Sequence, residues 1–149
     1  MPADILAYSR AEHPAPFRDR ISLAAVLYGL FAAPIVWAGD LMFDYGLVGH
    51  ACYPGFMPLH HPTPGLGSVW ALALFSHLLA LAIVGSGIFV AFRCWRMTGP
   101  PSGHSHHMIE RGEGRDRYLG IVGIWFSAMF FLIIATETLP LAMVPLCTY

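Results

Sequence analysis

Three stretches of this chain contain no Asp, Glu, Lys or Arg over a length that can cross a bilayer. They are Ile21 to Gly39, Gly65 to Phe92, and Tyr118 to Thr136, the last continuing past Glu137 to about Val144. A run of about 18 apolar residues already argues for a transmembrane helix, because only a helix satisfies its own backbone in hydrocarbon. With 56% hydrophobic and 11% charged residues there is too little polar surface for a water-soluble fold of this size. The expected fold class is therefore all-α: an integral membrane protein of three antiparallel transmembrane helices. The segments expected are 1–20 as a polar N-terminal segment, 21–48 as helix one and 49–67 as an outer loop. Residues 68–96 form helix two, 97–117 a His-rich loop, 118–144 helix three and 145–149 a tail. The first apolar run is too long for a signal-peptide core, so helix one reads as retained.

Orientation follows from the basic residues, all of them arginine: Arg10, Arg18, Arg20, Arg93, Arg96, Arg111, Arg115 and Arg117. Each lies before helix one, at the inner end of helix two, or between helices two and three. The positive-inside rule then puts the N-terminus and the second loop in the cytoplasm, and the first loop and C-terminus in the periplasm or another exterior space. Aromatic anchors agree, with Trp95 and Tyr118 at the inner ends of their helices and Tyr45, Tyr53, Trp70 and Tyr149 near the outer boundary. The location expected is the bacterial inner membrane, multi-pass. A net charge of -1 without a basic helix gives no support for nucleic-acid binding.

This topology separates the three cysteines. Cys52 and Cys147 share the outer, oxidising side, whereas Cys94, in "RCWR", sits at the inner end of helix two as a small apolar filler. The outer two are expected to pair, closing a long loop worth about 4 to 5 kcal/mol by chain entropy. The alternative is two free thiols, or two thiolates holding copper or zinc with a nearby histidine.

Apart from the arginines at the inner end of helix two, Asp40, Asp44, His77 and Glu137 are charge-bearing residues within the helices, all toward the outer side. Asp40 and Asp44 are spaced i and i+4 in "AGDLMFDYG", so they share one helix face, with Trp37 a turn earlier on the same stripe. Measured from a boundary near Val48, they lie about 12 and 6 Å deep. His77 and Glu137 fall at similar depth if the helices run antiparallel. Such groups are expensive in hydrocarbon and must find partners. Three readings stay open for this polar cluster. The four groups satisfy one another, they face an intramembrane partner, or they form an autonomous proton or metal-ion site. Small residues mark candidate helix contacts at Gly29 and Ala33, Gly85 and Gly87, and Gly120 and Gly123, and Pro34 is expected to kink helix one.

The outer loop "GHACYPGFMPLHHPTPGLG" offers Met57, His60 and His61, a set whose chemistry would suit copper. The inner loop carries His104, His106, His107 and Met108 in a composition expected of a solvated linker. No motif requires a cofactor, and no Walker loop, Rossmann fingerprint, nucleophile elbow or haem-attachment sequence is present, so no enzyme signature is read.

Two stretches, "APIVWAGDLMFDYGLVGHACYPG" and "GIWFSAMFFLIIATETLPLAMVPLC", together with "RCWR", resemble small three-helix membrane proteins encoded beside cytochrome c oxidase genes in proteobacteria. The likeness covers about half the chain. It implies association with a haem-copper terminal oxidase as a subunit or assembly helper, without catalytic residues, and Cys52 and Cys147 fit the outer bridge. Asp40 and Asp44 are not a familiar part of that pattern. The function expected is a non-catalytic accessory to a respiratory membrane complex, its partners being larger integral membrane subunits and lipid. Two alternatives stand beside it: a copper-handling protein using Met57, His60 and His61, and a small proton-conducting oligomer built on Asp40, Asp44 and Glu137.

Overall fold

The apolar runs become three long helices in a computed structural model that describes residues 21–62, 69–98, 113–144 and 147. They are α1 (Leu23–Cys52), α2 (Val69–Met97) and α3 (Glu113–Met143). At 1.5 Å per residue each is about 45 Å long, more than the roughly 30 Å of a hydrocarbon core. All three contain a stretch long and apolar enough to cross a membrane. The segment expected at 1–20 and the histidines His104, His106 and His107 with Met108 lie outside the described residues.

Local chemistry sets the ends. Ser22 caps α1 by accepting the Ala25 N–H on its hydroxyl at 3.1 Å. The helix then runs through Pro34, whose ring removes the donor that the Leu30 carbonyl would otherwise receive. It ends at Cys52, four residues beyond the expected boundary, so this cysteine stands on the last helical turn and not in the loop. A short 3-10 turn at Pro54–Phe56 follows, in which Gly55 adopts φ 64°, a left-handed conformation that needs glycine. The turn lets the Leu59 N–H fold back onto the Cys52 carbonyl at 2.9 Å. At the far end of α3, residue 145 is proline and has no N–H for the Leu141 carbonyl. The Trp70 indole supplies the missing donor at 2.9 Å, tying the start of α2 to the end of α3.

Close packing depends on small residues. A Cβ placed on Gly123 would stand 3.0 Å from the Gly29 carbonyl oxygen and 3.2 Å from the Ala91 side chain, and one on Gly29 would meet Ala91 at 3.1 Å. One glycine from α1, one alanine from α2 and one glycine from α3 thus let three backbones converge. The Ser127 hydroxyl, fully buried beside them, donates to the Gly29 carbonyl at 3.1 Å. A second layer joins Ala33, Ala80, Val84 and Ile134, flanked by Trp37 and Phe130 with ring centroids 5.5 Å apart. Near the arginines, Gly120 lies against the Trp95 backbone and Arg117 sits over the Trp95 ring at 5.4 Å. Cys94 is buried and free, as a small filler would be.

The large side chains point the other way. Leu23, Phe31, Ile35, Met42, Phe75, Leu78, Phe89, Trp125 and Leu132 are all exposed, distributed over the three helices. In water so much exposed apolar surface would aggregate, whereas in lipid it is the ordinary exterior. The chain is a membrane protein built as a three-helix bundle.

The glycine contact gives a direct test. Gly123→Val must force α1 and α3 apart and should lower unfolding stability by about 1 to 3 kcal/mol, the range for overpacking. Gly39→Ala, where a Cβ meets nothing within 4 Å, should be neutral or slightly stabilising. Thermal or denaturant unfolding of the purified variants in bicelles separates the two.

Candidate functional site

The i, i+4 spacing of Asp40 and Asp44 turns both toward α2, where His77 lies between them. His77 Nδ1 is 2.8 Å from Asp44 Oδ2 and 3.5 Å from Asp40 Oδ2. His77 and Asp40 are buried, while the Asp44 side chain keeps 17% of its exposure. Ser76, the neighbour of His77, donates its hydroxyl to Asp44 Oδ1 at 3.0 Å. The same hydroxyl lies 3.0 Å from the Ala73 carbonyl, and His77 Nδ1 lies 3.1 Å from that carbonyl too.

Donors are scarce here. A serine has one O–H, and a ring nitrogen carries at most one proton. Those two hydrogens face four oxygens: both oxygens of Asp44, one of Asp40, and the carbonyl of Ala73. An N–H at Nδ1 would give the Asp44 carboxylate a charge-assisted donor at this distance.

Glu137 takes a different partner. Its Oε1 accepts the Trp37 indole N–H at 3.3 Å, so α3 is bonded to α1 one turn from Asp40. Of the four residues expected to form one polar cluster, the structure brings three together and gives the fourth to the tryptophan on the same α1 stripe. Ser76 was not anticipated. Its signal was its position beside an intramembrane histidine, where a hydroxyl on the adjoining surface can reach the same acid.

Cys52 and Cys147 are joined in a disulfide, their Cα atoms 5.3 Å apart across 95 residues of sequence. They pack with Ala51 and Val69, and with Leu47 and Val48 at the margin, into a second small apolar core. The bridge lies two helical turns beyond Asp44 and ties the end of α1 to the segment after α3. Met57, His60 and His61 are exposed beside this end. Among the described residues, the one group of His, Cys, Asp and Glu side chains close enough to share an ion is Asp40, Asp44 and His77, which His60 and His61 do not join.

The bridge makes a prediction about reactivity. In the native protein, alkylation should leave Cys52 and Cys147 unlabelled until a reductant is added, as read by mass spectrometry. Replacing either with serine should cost about 2 to 4 kcal/mol of unfolding stability, with helix content retained.

Comparison with known proteins finds no family model, no curated protein and no solved structure that matches this chain.

Proposed function

We propose that this chain is a non-catalytic accessory protein of a larger respiratory membrane complex, a cytochrome c oxidase by the resemblance of its helix-one and helix-three motifs. The observation that carries the reading is the distribution of side chains: polar groups close on one another inside the bundle, and large apolar and aromatic side chains cover all three helices outside. Such a body offers packing surface to lipid and to neighbouring membrane helices in place of a reaction chamber.

In the proposed arrangement the helices are antiparallel neighbours, with α1 and α3 running one way and α2 the other. The pairs Tyr28 with Ser86, Asp44 with Ser76, and Trp70 with Leu141 support this order. The N-terminus lies in the cytoplasm and the disulfide end in the periplasm of a bacterial inner membrane, supported by the arginines at 93, 96 and 117 standing at the opposite end from Cys52. Docking would use the exposed side chains of this belt, and the bridged end would keep the periplasmic side rigid.

Affinity capture of the full-length protein from native membranes in a mild detergent is the test. Large integral subunits carrying haem and copper should co-purify in constant ratio. Consistent recovery of the chain alone would contradict the proposal.

A further inference from the structure

The polar triad presents more acceptor oxygens than its described donors can fill. With both aspartates ionised and His77 protonated, the group carries a net negative charge inside an apolar bundle, where an uncompensated charge is costly. No described arginine reaches it: Arg93 stands about 24 Å further along α2, at ~1.5 Å per residue, and Arg117 sits over Trp95 near that same end of the bundle. Asp40 sharpens the imbalance. It is 8% exposed, and no described residue donates it a hydrogen bond. Its carboxylate is aimed at His77, with Oδ2 stopping 3.5 Å from a nitrogen whose single proton lies closer to Asp44.

We propose that Asp40, Asp44 and His77 bind one divalent first-row transition-metal ion, of the class of Zn2+ or Mn2+. The donor atoms of the three residues lie within 4.8 Å of one another. For ligand bonds of about 2.0 to 2.1 Å, a tetrahedral ion sets its donors roughly 3.4 Å apart. The Nδ1 to Asp40 separation of 3.5 Å matches this, and the Nδ1 to Asp44 separation of 2.8 Å needs only a small outward rotation of a side chain. Binding requires a bare Nδ1 lone pair with the imidazole proton on Nε2, and releases any proton held at Nδ1 or by the carboxylates. Two carboxylates, one neutral imidazole and one divalent ion then sum to zero charge.

Two oxygens and one imidazole nitrogen, without thiolate or thioether, favour a borderline divalent ion over Cu(I). This separates the site from the His60, His61 and Met57 set. Three protein ligands leave a fourth position open. Asp44, the most exposed of the three and the nearest to the disulfide, gives the ion its approach from the Cys52 end. The inference does not depend on which complex the chain joins, and its test uses no partner.

Full-length protein, stripped with a chelator and held in nanodiscs, is dialysed against Zn2+ and assayed for bound metal. One Zn2+ per chain is expected, weakened at least about tenfold in Asp40→Asn and Asp44→Asn, and unchanged in the double variant His60→Ala, His61→Ala. Asp40→Asn is the informative change because it removes no hydrogen bond seen in the structure; circular dichroism and the intact Cys52 to Cys147 bridge report whether each variant is folded. A second measurement needs no variant. In protein labelled with 15N-histidine, Zn2+ should shift the Nδ1 resonance of His77 and place its proton on Nε2. Failure of the wild type to bind Zn2+, an unmoved His77 resonance, or undiminished binding in folded Asp40→Asn and Asp44→Asn would each overturn the proposal, the last by assigning the ion to the His-rich segments.

Discussion

The way α1 meets α2 depends on one requirement: acids on α1 need polar partners, lipid offers none, and α2 supplies them. The His77 contact to Asp44 at 2.8 Å meets that requirement for Asp44 and fixes three things together. It sets the rotation of α1, since Asp40 and Asp44 share a face. It sets the rotation of α2, since Ser76 and His77 must both point inward. It also sets the relative height of the two helices, since a slip of one turn would leave a carboxylate facing hydrocarbon. Apolar contacts alone would not choose a register so strictly, because lipid tails compete with leucine on nearly equal terms.

The remaining contacts hold this arrangement from both sides. Toward the arginine end, Gly29, Ala91 and Gly123 bring the three backbones together, and Ser127 adds a hydrogen bond to the Gly29 carbonyl. Toward the other end, the disulfide and the Trp70 indole fasten the close of α3 to the close of α1 and the start of α2. The third helix is tied to the middle by the bond from Trp37 to Glu137. The polar layer therefore sits between a tight glycine contact and a covalent clamp, which limits how far its side chains can separate.

The number of helices and their approximate limits were legible because uncharged runs of this length have few other uses. The proximity of Asp40, Asp44 and His77 was legible too, from helical spacing and shared depth. What could not be read was which face of each helix is buried. A helix that is apolar all round has no polar stripe to point outward, so periodicity is silent on rotation. The glycines illustrate the loss: Gly29 and Gly123 are close contacts, while Gly39, Gly46 and Gly49 face open space, and the sequence marks them alike. Depth places Glu137 level with the other three but does not choose its partner, and its rotation on α3 delivers it to Trp37. Cys52 was placed in a loop, yet the helix continues to it because nothing before Pro54 stops a helix.

Asp44 and His77 make a polar bond between α1 and α2 inside the bundle. A double-mutant cycle of Asp44→Asn and His77→Gln, followed by unfolding free energy in bicelles, tests it most directly. A coupling energy of about 1 kcal/mol or more between the two sites is expected, whereas effects that add to within about 0.3 kcal/mol would show that the two side chains do not bond.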